Sequence, residues 1–259
     1  MKTLKLSMIA LLLLGAFSCK KDNSPAVSAA VTTDQAADMA ASSLSSNSLG
    51  IASMTDAVSS NAVAVTSLST GGQTVNSVGI KSIKQACGTT LSDSTTVSGT
   101  LDSATFDYFA KYTHTLNCNA NEQPDNIVNT LIFHGDFNGP NLSSNDSGSA
   151  NVTIAGLTSQ ATNFVINGEY KRSGAYTSKV GNKGSGNSSI DVVLTNVTLT
   201  KPGRKINGGT ATISISGTSP KGSFSYTGTI TFNGDNTCWL NIAKVRYLID
   251  LHTGFRIRK

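Results

Sequence analysis

The chain has 259 residues, with 24 Gly, only 14% charged side chains, and a formal net charge of +5. That length holds one large domain or two small ones. The shortage of charge and the abundance of Ser, Thr and Asn suit strands and turns better than long helices. The basic residues are scattered apart from Arg204-Lys205 and the tail Arg256, Arg258, Lys259. A nucleic-acid partner is therefore not expected, since it would call for a stripe of Lys and Arg with interleaved aromatics.

Met1 to Lys5 carries two lysines, and Leu6 to Phe17 follows as a mostly apolar run. A bilayer-spanning helix needs about 20 such residues, so this run has the length of a signal-peptide core and not of a membrane span. It ends in Ala16-Phe17-Ser18-Cys19. These residues resemble the lipobox of bacterial lipoproteins, with Phe17 bulkier than the usual residue at its place. The resemblance implies removal of residues 1–18, a diacylglyceryl group on the Cys19 sulfur, and membrane attachment through acyl chains, palmitate among them. Loss of Lys2 and Lys5 would lower the formal charge from +5 to +3. Lys20 follows Cys19 in place of the Asp that favours inner-membrane retention in enteric-type lipoproteins, so the outer membrane is the expected address. Lys20-Lys21-Asp22 is also similar to the charged export signals of Bacteroidota envelope lipoproteins.

Residues 19–75 form an Ala/Ser/Thr-rich tether in this reading. Within it, Asp34 to Ala41 (after Thr33 as a cap) and Ile51 to Val58 (after Gly50) have loose helical spacing. They predict either a weak helical hairpin docked on the domain or a flexible spacer, with a hinge at Gly71-Gly72.

From about residue 76 to 259 the period changes to two. Phe224, Tyr226, Gly228, Ile230 and Phe232 share one face, while Ser223, Ser225, Thr227, Thr229 and Thr231 share the other. This is the pattern of a half-buried antiparallel strand. Phe106–Leu116, Ile127–Phe137, Phe164–Tyr170 and Ala211–Ile215 repeat it, and strands near 146–156 and 187–200 complete the set. Turn signals separate them, among them Asn138-Gly139-Pro140, Pro220-Lys221-Gly222 and Asn233-Gly234. The prediction is an all-β domain of about ten long antiparallel strands in an up-and-down meander, curled or barrel-like. At the C-terminus, a turn at Ala243-Lys244 pairs Ile242 with Val245, Leu240 with Tyr247 and Cys238 with Ile249, all apolar. Ala-Lys is a poor tight turn, so an irregular loop is expected there. A loop at His252-Thr253-Gly254 would pair Leu251 with Phe255 and Ile249 with Ile257.

Cys87 and Cys118 stand at strand edges beside polar turns, and in an oxidising compartment they are expected to pair. Cys238 falls on the apolar face as a small buried hydrophobe. His114 is placed opposite Asn129 and His134 opposite Phe109, on opposite faces, so no shared metal is expected. No GxSxG, HExxH or Walker sequence occurs, and Glu122 and Glu169 are the only glutamates. Asp136, Asn138, Asn141 and Asp146 are a candidate calcium loop whose spacing fits no known one. Asp93-Ser94-Thr95 and Asp102-Ser103-Ala104 resemble the O-glycosylation signal of Bacteroidota exported proteins, which implies sugar on Ser94 and Ser103. The expected function is a lipid-anchored, non-catalytic envelope domain without cofactor, binding an envelope protein or glycan or serving a structural role. One alternative is a carrier whose open barrel holds a hydrophobic ligand against Phe106, Tyr108, Phe133, Phe164, Tyr226 and Phe232. Another is a hydrolase without a recognisable motif.

Overall fold

The computed structural model describes residues 30–69 and 85–259, except 102, 182 and 202 and the side chains of 66–69. Two helices come first, α1 (Thr33–Leu44) and α2 (Ile51–Ser69). Eleven strands follow: β1 (Thr90–Leu101), β2 (Ala104–Cys118), β3 (Pro124–Asn138), β4 (Leu142–Ala155), β5 (Asn163–Ser178), β6 (Ser185–Thr200), β7 (Ile206–Ser219), β8 (Gly222–Phe232), β9 (Thr237–Ile242), β10 (Val245–Asp250) and β11 (Arg256–Arg258). They form a single antiparallel sheet in sequence order, curled but not closed, so that β1 and β11 each have one neighbour. The all-β meander expected from alternation is thus the observed fold.

The alternation decides which face is inside. Phe224, Ile230 and Phe232 are buried while their Ser and Thr neighbours are exposed. The apolar sides of β2 through β10 together form the concave face, and both helices pack into it. Of the two expectations for the N-terminal segment, the docked hairpin is the one observed, with both helices extending beyond the predicted spans.

Every residue of α1 from Gln35 to Leu44 is buried, although the helix is not apolar all round. Its cap and its serine hydroxyls are satisfied locally. Thr32 and Gln35 form a reciprocal capping box, with Gln35 N donating to Thr32 Oγ1 at 3.2 Å and Thr32 N donating to Gln35 Oε1 at 2.9 Å. The hydroxyls of Ser42 and Ser43 donate back to the Met39 carbonyl. Small Ala and Ser side chains thus admit the sheet on all sides without leaving orphaned donors. At the link between the helices, a Cβ on Gly50 would lie 2.5 Å from the Ser45 carbonyl oxygen, so only glycine fits the turn.

The C-terminal strands show one expectation met and one corrected. Ile242 pairs with Val245, Leu240 with Tyr247 and Cys238 with Ile249, as the apolar matching requires. The turn is regular, not irregular: Ala243 (φ 47°) and Lys244 (φ 65°) both adopt the left-handed conformation of a primed two-residue turn. The last hairpin is shifted by one residue. Ile249 faces Arg256 and Leu248 faces Ile257, and Asp250 N donates to the Phe255 carbonyl. The slip turns Phe255 and Ile257 outward, 63% and 43% exposed, and turns Arg256 inward. The cause is α1, where Asp38 accepts from Arg256 Nε at 2.7 Å and from its NH2 at 2.9 Å. A buried carboxylate needs a partner more than the hairpin needs two further apolar pairs.

Cys87 and Cys118 form a disulfide, and Cys238 is free and buried. The disulfide ties the entry of β1 to the end of β2. β1 itself is exposed along most of both faces.

Because Ala243 and Lys244 carry side chains in a conformation suited to Asn and Gly, the double replacement Ala243→Asn, Lys244→Gly should stabilise the protein by about 1 kcal/mol. A rise in the urea midpoint at constant m-value would show it.

Candidate functional site

Arg172, on β5, is a buried charge, with 3% of its side chain exposed. β5 continues the inward parity of Tyr170, and Gly148 of β4 stands directly opposite. The guanidinium donates to Asp146 Oδ2 at 2.8 Å, to the carbonyls of Ser42 (3.1 Å) and Ser48 (2.8 Å), and to the Tyr108 hydroxyl. Ser42 lies in the last turn of α1, where carbonyls lack helical partners and the helix dipole favours a cation. Burial works against the charge, but Asp146 and the Tyr108 and Tyr170 hydroxyls outweigh it and hold Arg172 protonated. Tyr170 adds a bond from its hydroxyl to the Leu49 carbonyl at 3.1 Å, and burial pushes its pKa up to about 12. One side chain thus ties three strands to the helical plug. Beside it remains a void of about 10 Å³, about one water sphere. Ser144 Oγ, Asp146 Oδ1 and the Tyr176 hydroxyl, all from residues lining it, have no partner among the described residues.

The larger concavity lies at the seam, where the sheet fails to close. It measures about 240 Å³ and is bounded by the β1–β2 turn, the β3–β4 turn and the β10–β11 loop. Its walls differ in kind. The helical wall presents Asp38, Ser42, Ser45 and Asn47, all buried. The sheet wall presents Ala104, Phe137 and Leu142, also buried. Ser103, Pro140 and Phe255 stand exposed at the mouth. The loop that carries Phe255 is braced, since Asp250 Oδ1 accepts from His252 N and Thr253 N, and Phe255 N donates to Thr253 Oγ1. Asn47 Nδ2 donates to the Thr253 carbonyl at 2.9 Å, which fixes the loop to the plug. Asp38 is held by Arg256 and by Asn141 Nδ2 at 3.0 Å. Among the described residues the slot therefore carries polar groups but no free charge.

The six aromatic residues expected to line a ligand cavity lie elsewhere. Tyr108, Phe133, Phe164 and Phe232 are buried in the core. Phe133 stacks on Tyr170 at 5.7 Å and meets Tyr108 edge-on at 6.0 Å. Tyr226 donates its hydroxyl to the Val31 carbonyl, and Phe106 is half-buried. None of the six lines the seam cavity. The physical reason is that α1 and α2 occupy the concave face these rings point into.

The candidate calcium residues are divided by the pleat. Asp146 faces inward to Arg172, while Asp136 is outside and accepts from Asn145. His114 and His134 pair with Asn129 and Phe109, as placed from sequence, and none of the three histidines reaches the seam. Burial lowers the pKa of His114. Ser94 is exposed on β1 and Ser103 in the β1–β2 turn. Cys19 and Asp102 lie outside the described residues. No protein-family model, curated protein or solved structure matches the chain.

The Arg172–Asp146 pair was missed in the sequence, although a signal existed. Arg172 falls on the inward parity of Tyr170, and Asp146 on that of Ala150, Val152 and Ile154. A charge on the apolar side of a strand requires a buried partner.

Arg172→Met would leave Asp146 buried and unpaired, and should cost about 3–5 kcal/mol in urea unfolding. Arg172→Met with Asp146→Asn should cost less than the single change. Burial pushes Tyr112 up to about 12 from its ordinary 10.0, so the folded state holds that proton more tightly than the unfolded chain. The corresponding stability is whole below pH 10 and is lost as pH rises towards 12. Thermal unfolding across that range should fall less steeply in Tyr112→Phe than in the parent.

Proposed function

We propose that the protein is an envelope lipoprotein, cut before Cys19 and acylated there, whose β-domain is a non-catalytic binding module that works at its seam. The reading of the anchor rests on the charged start, the short apolar run and the cysteine at its end. A second acyl chain makes such attachment stable where one alone is marginal. Ten residues separate Cys19 from Ala30, the first described residue. Fully extended, those eleven steps span at most about 40 Å, so the body stays close to the leaflet.

The observation that carries the binding reading is the filled interior. The concave face is covered by the chain's own helices and the void beside Arg172 is about 10 Å³, whereas the seam holds about 240 Å³ open to solvent. A carrier of a hydrophobic ligand needs the interior that the helices occupy. The one carboxylate lining the seam among the described residues, Asp38, is bonded to Arg256 and Asn141 and is a poor candidate for moving protons. A module of this kind meets its partner at the mouth, where Phe255, Pro140 and Ser103 are exposed.

In the native host, a palmitate analogue should label the wild-type chain and not Cys19→Ala, and the variant should leave the membrane fraction. Mature protein that retains residues 1–18, or that carries no lipid mass at Cys19, would overturn the assignment.

A further inference from the structure

The geometry points to a ligand class: we propose that the seam slot takes a single neutral sugar ring, the terminal residue of a glycan. The proposal rests on the binding reading above and is independent of the anchor.

Three properties of the slot select this class. The first is charge. Asp38 is paired through two oxygens with Arg256, and the other slot-lining side chains among the described residues are neutral. A charged ligand would lose its hydration without gaining an opposite partner. The second is the contrast between the walls. Ser42, Ser45 and Asn47 face Ala104, Phe137 and Leu142 across the same space. An acyl chain would press methylenes against the polar wall, and a small polyanion would meet the apolar one. A pyranose has hydroxyls around its edge and C–H groups on its faces, so it presents each wall with its own kind. The third is size. The void beside Arg172 holds about one water, whereas the slot's about 240 Å³ of the same measure leaves room for a small organic ring.

The mouth supports the same conclusion. Phe255 is 63% exposed, yet its loop is fixed by the Asp250 and Asn47 bonds. A rigid aromatic face held in water at the edge of a polar slot is suited to stacking against sugar C–H groups. Asn141 spends its Nδ2 on Asp38 and keeps Oδ1 to accept from a ligand hydroxyl, and the Ser103 hydroxyl stands at the rim. Since the mouth opens to solvent, the rest of a glycan can continue outward.

The test uses the chain from Lys20, which contains every described element and lacks the acyl group. Isotope-labelled protein is titrated separately with glucose, galactose, mannose and N-acetylglucosamine, and with octanoate as the apolar competitor. At least one sugar should shift the amides of Leu101, Ser103, Ala104, Gly139, Asn141, Leu142 and 253–255, with a Kd of about 1 mM. Phe255→Ala should weaken it about tenfold. Ser103→Trp, at an exposed turn, should fill the mouth and abolish binding while the urea midpoint stays unchanged. Shifts with none of the four sugars, shifts confined to other regions, or octanoate binding at the slot in their place would each overturn the proposal. Such a failure leaves the labelling at Cys19 untouched, and a failed labelling leaves the titration valid.

Discussion

The structure depends on one constraint: a sheet with an apolar face must cover it, and here the cover is a helical plug locked by a buried guanidinium. About half of the plug is Ala and Ser, which bury little area per residue, while Met39, Leu44, Ile51, Met54 and Val58 supply its larger apolar contacts. Arg172 supplies what the side chains of α1 cannot. Its four bonds end on strand residues Tyr108 and Asp146 and on the carbonyls of Ser42 and Ser48, so the helix end and the sheet share one charge. A second clamp of the same kind, Arg256 on Asp38 and Asp34, holds the other edge of the sheet against α1. Such pairs cost desolvation and add little net stability, but they permit one arrangement of plug and sheet and penalise others.

The same two clamps shape the seam. Arg256 must turn inward to reach Asp38, and that forces Phe255 outward to the mouth of the slot. Asp38 is at once a wall of the cavity and the anchor of the strand edge that bounds it. The polar and apolar walls face each other because the helix supplies one and the sheet the other. An interior ligand pocket of the closed-barrel type would have had aromatic residues on all sides.

Much of the fold was legible because β-strand alternation is strict. A single apolar face fixed the register of β9 on β10 to the residue, and it placed Cys238 inside and His114 and His134 on opposite faces. The pairing of Cys87 with Cys118 followed from their places at strand edges. The helical plug was legible only as two weak helices, since Ser-rich segments look like spacers until a sheet surrounds them. The last hairpin was misread for a related reason. Apolar matching favours Ile249 with Ile257, and the force that overrides it is a carboxylate some two hundred residues away. The seam slot carries no sequence signal at all, because three separate turns and a helix meet there only in the folded chain.

Arg256 and Asp38 are 218 positions apart. The segment that fills the middle of the molecule is made early, and the residue that secures it follows only after more than two hundred positions. Until then α1 has a carboxylate with no cation and a sheet with no far border. The plug and the far edge of the sheet therefore cannot be fixed to each other piece by piece as the chain is made. They gather loosely first and lock in one late step, as contacts so far apart in the chain require.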